Sequence, residues 1–306
     1  MIDLAPMTGI YVDPVALTAR VQPGVNWRQL NRETQLHGLA VTGGMVSTTG
    51  IAGFTLGGGL GWLMGKHGLA TDNLLSARVV TADGRTLTAS EQENADLFWG
   101  LRGGGGNFGV VSSFEYRLHP IGPTITGGLV AYPFEEASDV LRFYRDLMAE
   151  TSDEFTAIGA LAHAPDGSGT KLALIAVCHV GTSEQVEADL RPLREFGEPV
   201  LAELGPMPYT VMNSFLDGGY PTGSLNYWKS SFLADLPDTA FDVMIEKFSN
   251  CPSPMTGVFF ESFHGAVTRV PVEATAVPHR EPGYNLLITS VWSDPAATGE
   301  NVDWTK

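Results

Sequence analysis

The residues most suggestive of chemistry are glycines gathered in two segments near the start of the chain. The first segment, residues 42–65, reads TGGMVSTTGIAGFTLGGGLGWLMG, and no Asp, Glu, Lys or Arg occurs from Thr34 to Gly65. The second runs from Arg102 to Val111 and contains four consecutive glycines. Glycine lets the main chain approach a partner closely and adopt positive φ, so that successive N–H groups can point at one anion. The pattern predicts backbone laid against a large flat ligand, surrounded by main-chain donors and hydroxyls.

Three other structures would also account for runs of glycine. Gly104, Gly106 and Gly109 match the GxGxxG loop of dinucleotide-binding proteins, but that loop needs a strand before it and a helix after it, and the sequence predicts the reverse order. The uncharged run is long enough for a membrane helix, but ten of its 32 residues are glycine, each of which costs about 1 kcal/mol of helix propensity. A tightly turned β-structure that needs glycine only for its bends remains open.

The bulk composition favours a globular protein and excludes several function classes. Hydrophobic residues make up 43% and charged residues 17% of the chain, and the formal net charge is −16. Nucleic acids and anionic membrane surfaces need a basic surface, so we expect neither as a partner. The two cysteines suit neither a disulfide framework nor a metal site, and no signal-peptide pattern is visible, which favours the cytoplasm. No GxSxG elbow, HExxH motif or P-loop occurs, so hydrolases and P-loop enzymes have no motif support.

Periodicity predicts the elements that must position the glycine segments. Asn26 is expected to cap a helix over 27–36, and a strand at 77–82 should pair with one at 87–90. A short helix is expected over 93–99. The alternation that follows predicts a strand whose buried face consists of Ser112, Phe114, Tyr116 and Leu118.

The sequence pattern changes after the prolines at 120 and 123, so we place a domain boundary there and expect domains over 1–120 and 121–306. An amphipathic helix is expected at 135–149, with its apolar residues on one side. The other elements expected in this half are strands at 127–132, 157–163, 171–180, 258–263 and 284–292, and helices at 183–196 and 238–248. Strands interleaved with helices at this spacing indicate an α+β domain.

Several ordered motifs carry a resemblance to a known family. They are Val21-Gln22-Pro23-Gly24, the run 48–62, Asp96 to Gly105, Asn107 to Val111, and Pro278-His279-Arg280. Together they resemble the berberine-bridge-enzyme-like oxidoreductases, flavoproteins of the vanillyl-alcohol-oxidase type, over residues 2–304. The resemblance implies an α+β fold and FAD as the cofactor. The second half of a PCMH-type FAD-binding domain would be followed by an α+β substrate domain, an antiparallel sheet flanked by helices that binds a small-molecule substrate.

The resemblance also implies which residues contact FAD, with 44–61 along the flavin and pyrophosphate and 109–111 beside the adenine. The residues expected to bind FAD are Gly44, Val46, Ser47, Thr48, Thr49, Gly50, Gly53, Phe54, Gly57, Gly58, Gly61, Gly109, Val110 and Val111. Val46 stands where some members carry a cysteine linked to FAD, which excludes that second covalent attachment, and Phe54 stands at a family histidine. The family's upstream histidine loop and its C-terminal return to the flavin have no counterpart, so we expect a chain truncated at both ends that binds FAD weakly or not at all by itself.

The family reaction is hydride removal from a substrate carbon to flavin N5, usually followed by reoxidation with oxygen. Plant-type members use as base a glutamate that directly follows a tyrosine, and the matching pair here is Tyr284-Asn285. An amide cannot accept a proton at neutral pH, so Asn285 is expected either to orient a substrate or to be an ordinary strand residue.

Three further side chains are candidates for the chemistry. Tyr227 and Lys229 form a polar-aromatic group with Trp228, and a desolvated Lys229 is a possible base; the alternative is an amphipathic strand with Lys229 in water. His264 is a possible pocket base. The expected function is an FAD-dependent oxidase or dehydrogenase, and the alternative is a truncated fragment of such a flavoprotein without catalytic activity.

Overall fold

The computed structural model describes all residues, 1–306, and its first part is built on an antiparallel sheet. The strands and helices up to residue 120 are β1 (Ile10–Asp13), β2 (Thr18–Val21), α1 (Trp27–Gln35), β3 (Leu39–Ala40), α2 (Ile51–Leu56), α3 (Met64–His67), β4 (Leu74–Val80), β5 (Thr86–Ser90), α4 (Ala95–Leu101), β6 (Val110–Arg117) and β7 (His119–Pro120). One five-stranded sheet has the order β1-β2-β6-β4-β5 with antiparallel neighbours, and β3 pairs with β7.

The second part is a larger sheet with helices between its strands. Its elements are β8 (Thr124–Pro133), α5 (Ala137–Ala149), β9 (Phe155–His163), β10 (Lys171–His179), α6 (Ser183–Glu195), β11 (Leu201–Pro208), α7 (Tyr209–Asn213), β12 (Leu225–Leu233), α8 (Asp238–Ser249), β13 (Gly257–Phe263), α9 (Ala266–Arg269), β14 (Gly283–Trp292) and α10 (Thr298–Thr305). The seven strands have the order β11-β8-β10-β9-β13-β14-β12. The expected α+β class with an antiparallel sheet and flanking helices is confirmed.

The chain divides into two compact units. The first unit comprises Met1–Ile125, Met207–Leu216 and Gly265–Arg280, and the second comprises Thr126–Pro206, Asp217–His264 and Glu281–Lys306. The change of unit after Ile125 lies close to the boundary expected at residue 120. The two later returns to the first unit, which carry α7 and α9, are not marked by any local shift in composition, and a single boundary does not describe them.

Helix α1 shows why short-range sequence signals predict a helix at this place in the first unit. The Asn26 side chain accepts a hydrogen bond from the Gln29 N–H, and the Gln29 side chain accepts one from the Asn26 N–H, which together form a capping box. Trp27 in the first turn is fully buried and meets Phe54 edge to face, with ring centroids 5.3 Å apart. The capped helix therefore supports the segment that contains α2.

Strand β6 has the expected buried residues, with one exception caused by a bulge. Phe114 and Tyr116 are fully buried. Against β4, however, Ser113 pairs with Arg78 while Val111 pairs with Val79, so Ser112 is an extra residue in the ladder. The bulge changes the phase of the alternation, and Val111 rather than Ser112 enters the core, so the expectation for Ser112 was wrong.

In the second unit, helices cover one face of the sheet. The core on this face joins residues from α5, α6 and α8 to strand residues that include Val130, Leu161, Ile175 and Phe260. We call this the helix-covered face. Because side chains alternate along a strand, the neighbours of these residues point to the other face, which we call the opposite face. No helix in either unit has the length and apolarity required to cross a membrane.

Candidate functional site

The two glycine segments of the first unit lie side by side. The main-chain N–H groups of Gly103 and Gly105 both donate to the carbonyl oxygen of Leu56, at 3.0 and 2.9 Å. Leu56 is the last residue of the six-residue helix α2, a helix that the glycine content did not predict. The hypothesis that both segments contact one ligand requires this proximity, and the structure provides it.

Several glycines of the first segment are required by packing within the protein. A Cβ on Gly61 would lie 2.0 Å from the carbonyl oxygen of Gly43, and a Cβ on Gly43 would lie 2.4 Å from the Trp27 indole. Gly58 has φ +117°, which side chains rarely adopt, and a Cβ on Gly44 would be 3.2 Å from Phe54 and Trp27. At these four positions, a tightly turned structure is sufficient to explain why the residue is glycine, and no ligand is needed.

A second group of glycines is not required by close contacts within the protein. Gly50 and Gly53 are exposed, a Cβ on either would meet no heavy atom within 4 Å, and neither has positive φ. Gly57 is also exposed, and a Cβ there would meet only the carbonyl oxygens of the preceding turn. The spacing of three and four residues places Gly50, Gly53 and Gly57 along one side of α2. We call this side, which has no side chains, the bare face of α2.

The polar groups beside the bare face are mostly main chain. No side chain caps α2 at Gly50, so the N–H groups of its first turn lack a side-chain acceptor. Ser47 is buried, and its Oγ accepts a hydrogen bond from Arg28 Nε at 3.0 Å. Thr48 is exposed, while Val46, Thr49 and Phe54 are half-buried. A flat ligand with a diphosphate would find an unobstructed surface and N–H donors here.

The residues expected beside the adenine are placed at the start of β6. Gly109 has φ +146°, and a Cβ there would lie 2.6 Å from the carbonyl oxygen of Val80, so the strand spacing requires glycine. Val110 is half-buried, but the Val111 side chain packs in the core of the first unit. Only the main chain of Val111 is therefore left to contact a ligand.

Sequence reasoning missed two contacts that brace the first unit. The Asn213 side chain in α7 donates to the carbonyl oxygen of Gly44 at 2.6 Å. The Arg280 guanidinium donates to both carboxylate oxygens of Asp72, at 2.8 and 2.7 Å, and to Thr275, with Asp72 and Arg280 both buried. Since 169 residues separate Asn213 from Gly44 and 208 separate Arg280 from Asp72, no local pattern reports these pairs.

In the second unit, Tyr227 and Lys229 lie on the helix-covered face. On β12 they pair with Ser290 and Ile288 of β14, and paired residues share a face. Ile288 packs against the helix-covered core. Lys229 is exposed, with Nζ 5.7 Å from the centre of the Tyr227 ring. This placement matches the alternative of an amphipathic strand with Lys229 in water.

Asn285 lies on the opposite face, where it meets a carboxylate that the sequence did not single out. On the adjacent strand β13, Glu261 pairs with Asn285, and Asn285 Nδ2 donates to Glu261 Oε2 at 2.6 Å. Glu261 is 7% exposed and Asn285 is 5% exposed. Burial raises the pKa of Glu261, and the hydrogen bond from Asn285 acts against that rise. The buried Asn285 Oδ1 has no hydrogen-bond partner.

His264 follows the end of β13 and is separate from this pair. Its Nε2 lies 2.9 Å from the carbonyl oxygen of Phe155, which can only accept a hydrogen bond, so this nitrogen carries a proton. The Nδ1 atom lies 3.4 Å from the carbonyl oxygen of Ser262. The structure therefore groups Asn285 with Glu261 and does not bring Tyr227, Lys229 or His264 to it.

Comparison with known sequences supports a flavin-binding assignment for the chain. A family model described as an FAD binding domain matches residues 1–90. An FAD-linked oxidoreductase of Dictyostelium discoideum is 28% identical over 294 residues, which cover 95% of this chain and 64% of the relative. The FAD-linked oxidoreductase pgmH of Aspergillus terreus is 32% identical over 311 residues, which cover 97% of this chain and 62% of the relative. The chain thus spans less than two thirds of the length of these relatives.

Solved structures agree with the sequence comparison. 6-Hydroxy-D-nicotine oxidase from Arthrobacter nicotinovorans superimposes with a TM-score of 0.82 and 28% identity, over 97% of this chain and 66% of that one. Berberine bridge enzyme from Eschscholzia californica gives a TM-score of 0.85 with 23% identity, over 99% of this chain and 64% of that one. The second likeness concerns the fold alone.

Proposed function

Because the chain belongs to the berberine-bridge-enzyme-like family of FAD-linked oxidoreductases, with FAD as the cofactor, we propose that it oxidises a small organic molecule by hydride transfer to flavin N5. This proposal does not require a covalent bond between FAD and the protein. Molecular oxygen is the proposed acceptor that reoxidises the flavin. The comparisons do not favour the alternative, a non-catalytic fragment, over an oxidoreductase.

One observation carries the proposal, which is the bare face of α2. Glycine at an exposed helical position lowers helix stability by roughly 1 kcal/mol relative to alanine, and Gly53 does not compensate for this with a contact or a special φ. A planar ligand that lies against the helix supplies the missing reason, because any Cβ would occupy its space. The residues therefore fit FAD, and we assign FAD binding to the first unit.

The chain's own groups would hold the cofactor chiefly through main chain. The Ile51 N–H already donates to the Val25 carbonyl oxygen at 3.0 Å. The remaining first-turn N–H groups of α2 would suit a diphosphate, since the positive end of a helix favours an anion. Gly50, Gly53 and Gly57 leave the surface flat for the ring, and Asn213 fixes the carbonyl of Gly44 at the edge of the segment. Bound flavin supplies the electron-accepting chemistry, and the protein supplies placement and proton transfer.

Substrate recognition is assigned to the second unit, whose opposite face presents the buried pair of Glu261 and Asn285. Relatives are named as oxidases of (R)-6-hydroxynicotine and of xylooligosaccharide. An amine and a carbohydrate alcohol are therefore the compounds to test first. The two cysteines, both free, are the basis for also proposing a cytoplasmic location.

The test compares Gly53→Leu with Gly299→Leu in a titration with FAD. Both glycines are exposed, both lie in helices, and a Cβ at either would meet nothing within 4 Å, so the two substitutions are structurally matched. We expect Gly53→Leu to weaken FAD binding by about 100-fold or more, since the side chain occupies the ligand's space, and Gly299→Leu to bind FAD like the parent. Equal FAD binding by the two variants would refute the proposal that FAD lies against the bare face of α2.

A second measurement tests the reaction itself. The FAD-loaded protein is mixed without oxygen with (R)-6-hydroxynicotine, with a xylooligosaccharide and with simple amines and alcohols, and the flavin absorbance is followed. Bleaching by one of these compounds, and its reversal with peroxide formation when oxygen is admitted, is the expected result. An FAD-loaded protein that is reduced by dithionite but by none of these compounds contradicts the proposed activity.

A further inference from the structure

We propose that Glu261 accepts the proton that the substrate loses and that Asn285 holds this carboxylate and the substrate's donor group. The substrate class that follows is an alcohol or an amine with an O–H or N–H on the carbon that is oxidised. This inference rests on the proposed function and adds to it a residue and a substrate class. The residue that stands at the family's base position is an amide, and the carboxylate is contributed by the neighbouring strand.

The register of two strands makes the pair. Glu261 on β13 and Asn285 on β14 are directly opposite each other, so their side chains project from the same side of the sheet. The 2.6 Å hydrogen bond from Asn285 Nδ2 fixes one carboxylate oxygen. On its other flank, Glu261 pairs with Ile158 of β9, which offers the carboxylate no charge. A shift of one residue in either strand would place the two side chains on different faces.

The unpaired Asn285 Oδ1 is a second observation that supports a binding role for the pair, and it is independent of the strand register. A buried acceptor without a partner costs about 1–3 kcal/mol, and native proteins tolerate few such atoms. The amide offers an acceptor oxygen next to a carboxylate, and both attract a group that carries a hydrogen. A ligand with an O–H or N–H satisfies both acceptors, whereas a ligand with acceptors alone meets two electron-rich atoms.

The surroundings of Glu261 raise the pKa of its carboxyl group, the direction that favours a proton acceptor. Its burial raises the pKa towards the range in which a carboxylate both ionises and accepts a proton readily. The groups whose ionisation responds to the Glu261 charge are Tyr144 on α5 and Tyr220, and both have pKa values raised above 10.0 by burial. Neither tyrosine therefore carries a charge near neutral pH that would act on Glu261.

The chemistry balances with flavin as the oxidant. The substrate's C–H bond breaks and both of its electrons leave as hydride to the flavin. The O–H or N–H bond breaks and its proton moves to the carboxylate of Glu261. The electron pair left on oxygen or nitrogen forms the second bond of C=O or C=N. Asn285 does not titrate and so does not compete for that proton, whereas a second carboxylate at this site would raise the cost of ionising either one.

The experiment compares Glu261→Gln with Glu246→Gln in the FAD-loaded full chain. Glutamine keeps the size of the side chain and an acceptor for Asn285, so the fold is retained, and Glu246 is an exposed glutamate on α8. Flavin reduction by the compounds named above is followed without oxygen as a function of pH. We expect Glu261→Gln to slow reduction by about 100-fold or more and to lose the acidic limb of the profile. Its FAD affinity and its reduction by dithionite should equal those of Glu246→Gln.

An infrared measurement gives a readout that does not depend on turnover. The carboxylic-acid C=O band of Glu261 should titrate above the usual range of glutamate, disappear in Glu261→Gln and persist in Glu246→Gln. Amines and alcohols should shift this band, and an ether of the same size should not. Wild-type rate and pH profile in Glu261→Gln, or a band that no compound shifts, overturns the inference. If no compound reduces the parent protein, the proposed function fails, and the infrared shift alone decides the role of the pair.

The role of Asn285 is tested through binding. Asn285→Leu removes both the donor that holds Glu261 and the unpaired acceptor. We expect KM for a compound that reduces the flavin to rise by about 10-fold or more, with a smaller fall in kcat, because the lost contact is made to the bound substrate. An unchanged KM excludes Asn285 from substrate binding.

Discussion

The glycine segment of the first unit and the Glu261–Asn285 pair of the second unit represent two ways of building a site. On the bare face of α2, the proposed recognition of FAD depends on the absence of side chains, and main-chain N–H groups would provide the donors. On the opposite face of the second sheet, the proposed recognition of the substrate depends on two buried polar side chains from adjacent strands. A site of the first kind suits a large planar cofactor, and one of the second kind suits a small molecule that must lose a proton.

The difference has consequences for stability. Buried glycines such as Gly61 belong to the packing and cannot be changed without cost, whereas exposed glycines such as Gly53 contribute nothing to packing. The carboxylate of Glu261 is buried with a single hydrogen bond from a neutral amide, which leaves much of its desolvation uncompensated. Substitutions at these positions therefore separate residues kept for folding from residues kept for function.

The largest expected effect concerns the ion pair of the first unit. Arg280→Ala leaves the buried Asp72 carboxylate without its guanidinium, and we expect a loss of about 3–5 kcal/mol in the free energy of unfolding. The control is Arg194→Ala, which removes an exposed partner of Glu187 and should cost less than about 1 kcal/mol. Denaturant midpoints compare the two. Equal losses would mean that the Asp72–Arg280 pair contributes no more than a surface pair.

The next effect distinguishes the two kinds of glycine. Gly61→Ala places a Cβ 2.0 Å from the Gly43 carbonyl oxygen, which must move, and we expect destabilisation by about 3 kcal/mol. Thermal unfolding of the protein without FAD measures this loss. A melting temperature equal to that of the parent would show that the segment yields easily, and the division of its glycines would then be wrong.

A smaller effect, a gain in the free energy of unfolding rather than a loss, is expected in the second unit. The pKa of Glu261 is raised in the folded state, so the unfolded chain releases this proton first as the pH rises. The folded protein therefore has its full stability below about pH 4 and loses part of it as the pH rises through the folded-state pKa of Glu261. Glu261→Gln should therefore be about 1 kcal/mol more stable than the parent at about pH 8 and equal to it at about pH 4. Unfolding at both pH values checks the sign, and a variant that is less stable at about pH 8 contradicts it.

The smallest change in stability is expected at Gly53. Alanine fits its open side and favours a helix, so Gly53→Ala should stabilise the protein without FAD by about 0.5–1 kcal/mol. The same substitution should reduce FAD retention on a desalting column, because its Cβ would occupy the space that we propose for the cofactor. Gly299→Ala is the control, with a similar stability gain and unchanged FAD retention. A Gly53→Ala variant that keeps its FAD as well as Gly299→Ala breaks the link between the bare face and the cofactor.

Much of the fold followed from local sequence, and the exceptions have physical causes. The capping residues of α1 and the apolar periodicity of α5 act within a few turns, so both helices were predicted with ends within two residues of those observed. The bulge at Ser112 changed the phase of β6 because it depends on the partner strand β4. Helix α2 was missed because glycine disfavours helices, and here its conformation is set by contacts with Val25, Trp27 and the second glycine segment.

The candidate site divides in the same way. The charge-free glycine run predicted the proposed cofactor segment from sequence, because main-chain recognition uses consecutive residues. Only the structure separated Gly50 and Gly53 from the packed Gly43 and Gly61. Tyr227, Lys229 and His264 were chosen by residue type. The register places Tyr227 and Lys229 on the helix-covered face, away from Asn285, and His264 contacts the Phe155 carbonyl oxygen instead.

By itself, the sequence determined the α+β class and the family, since both are written in contiguous motifs, and it predicted the segment that we propose binds FAD. Only the tertiary structure decided that Glu261 meets Asn285, that Asn213 holds Gly44 and that Arg280 neutralises Asp72. These pairs depend on strand register and on distant segments returning to one unit, and a one-residue shift would abolish the first of them without changing composition or local propensity.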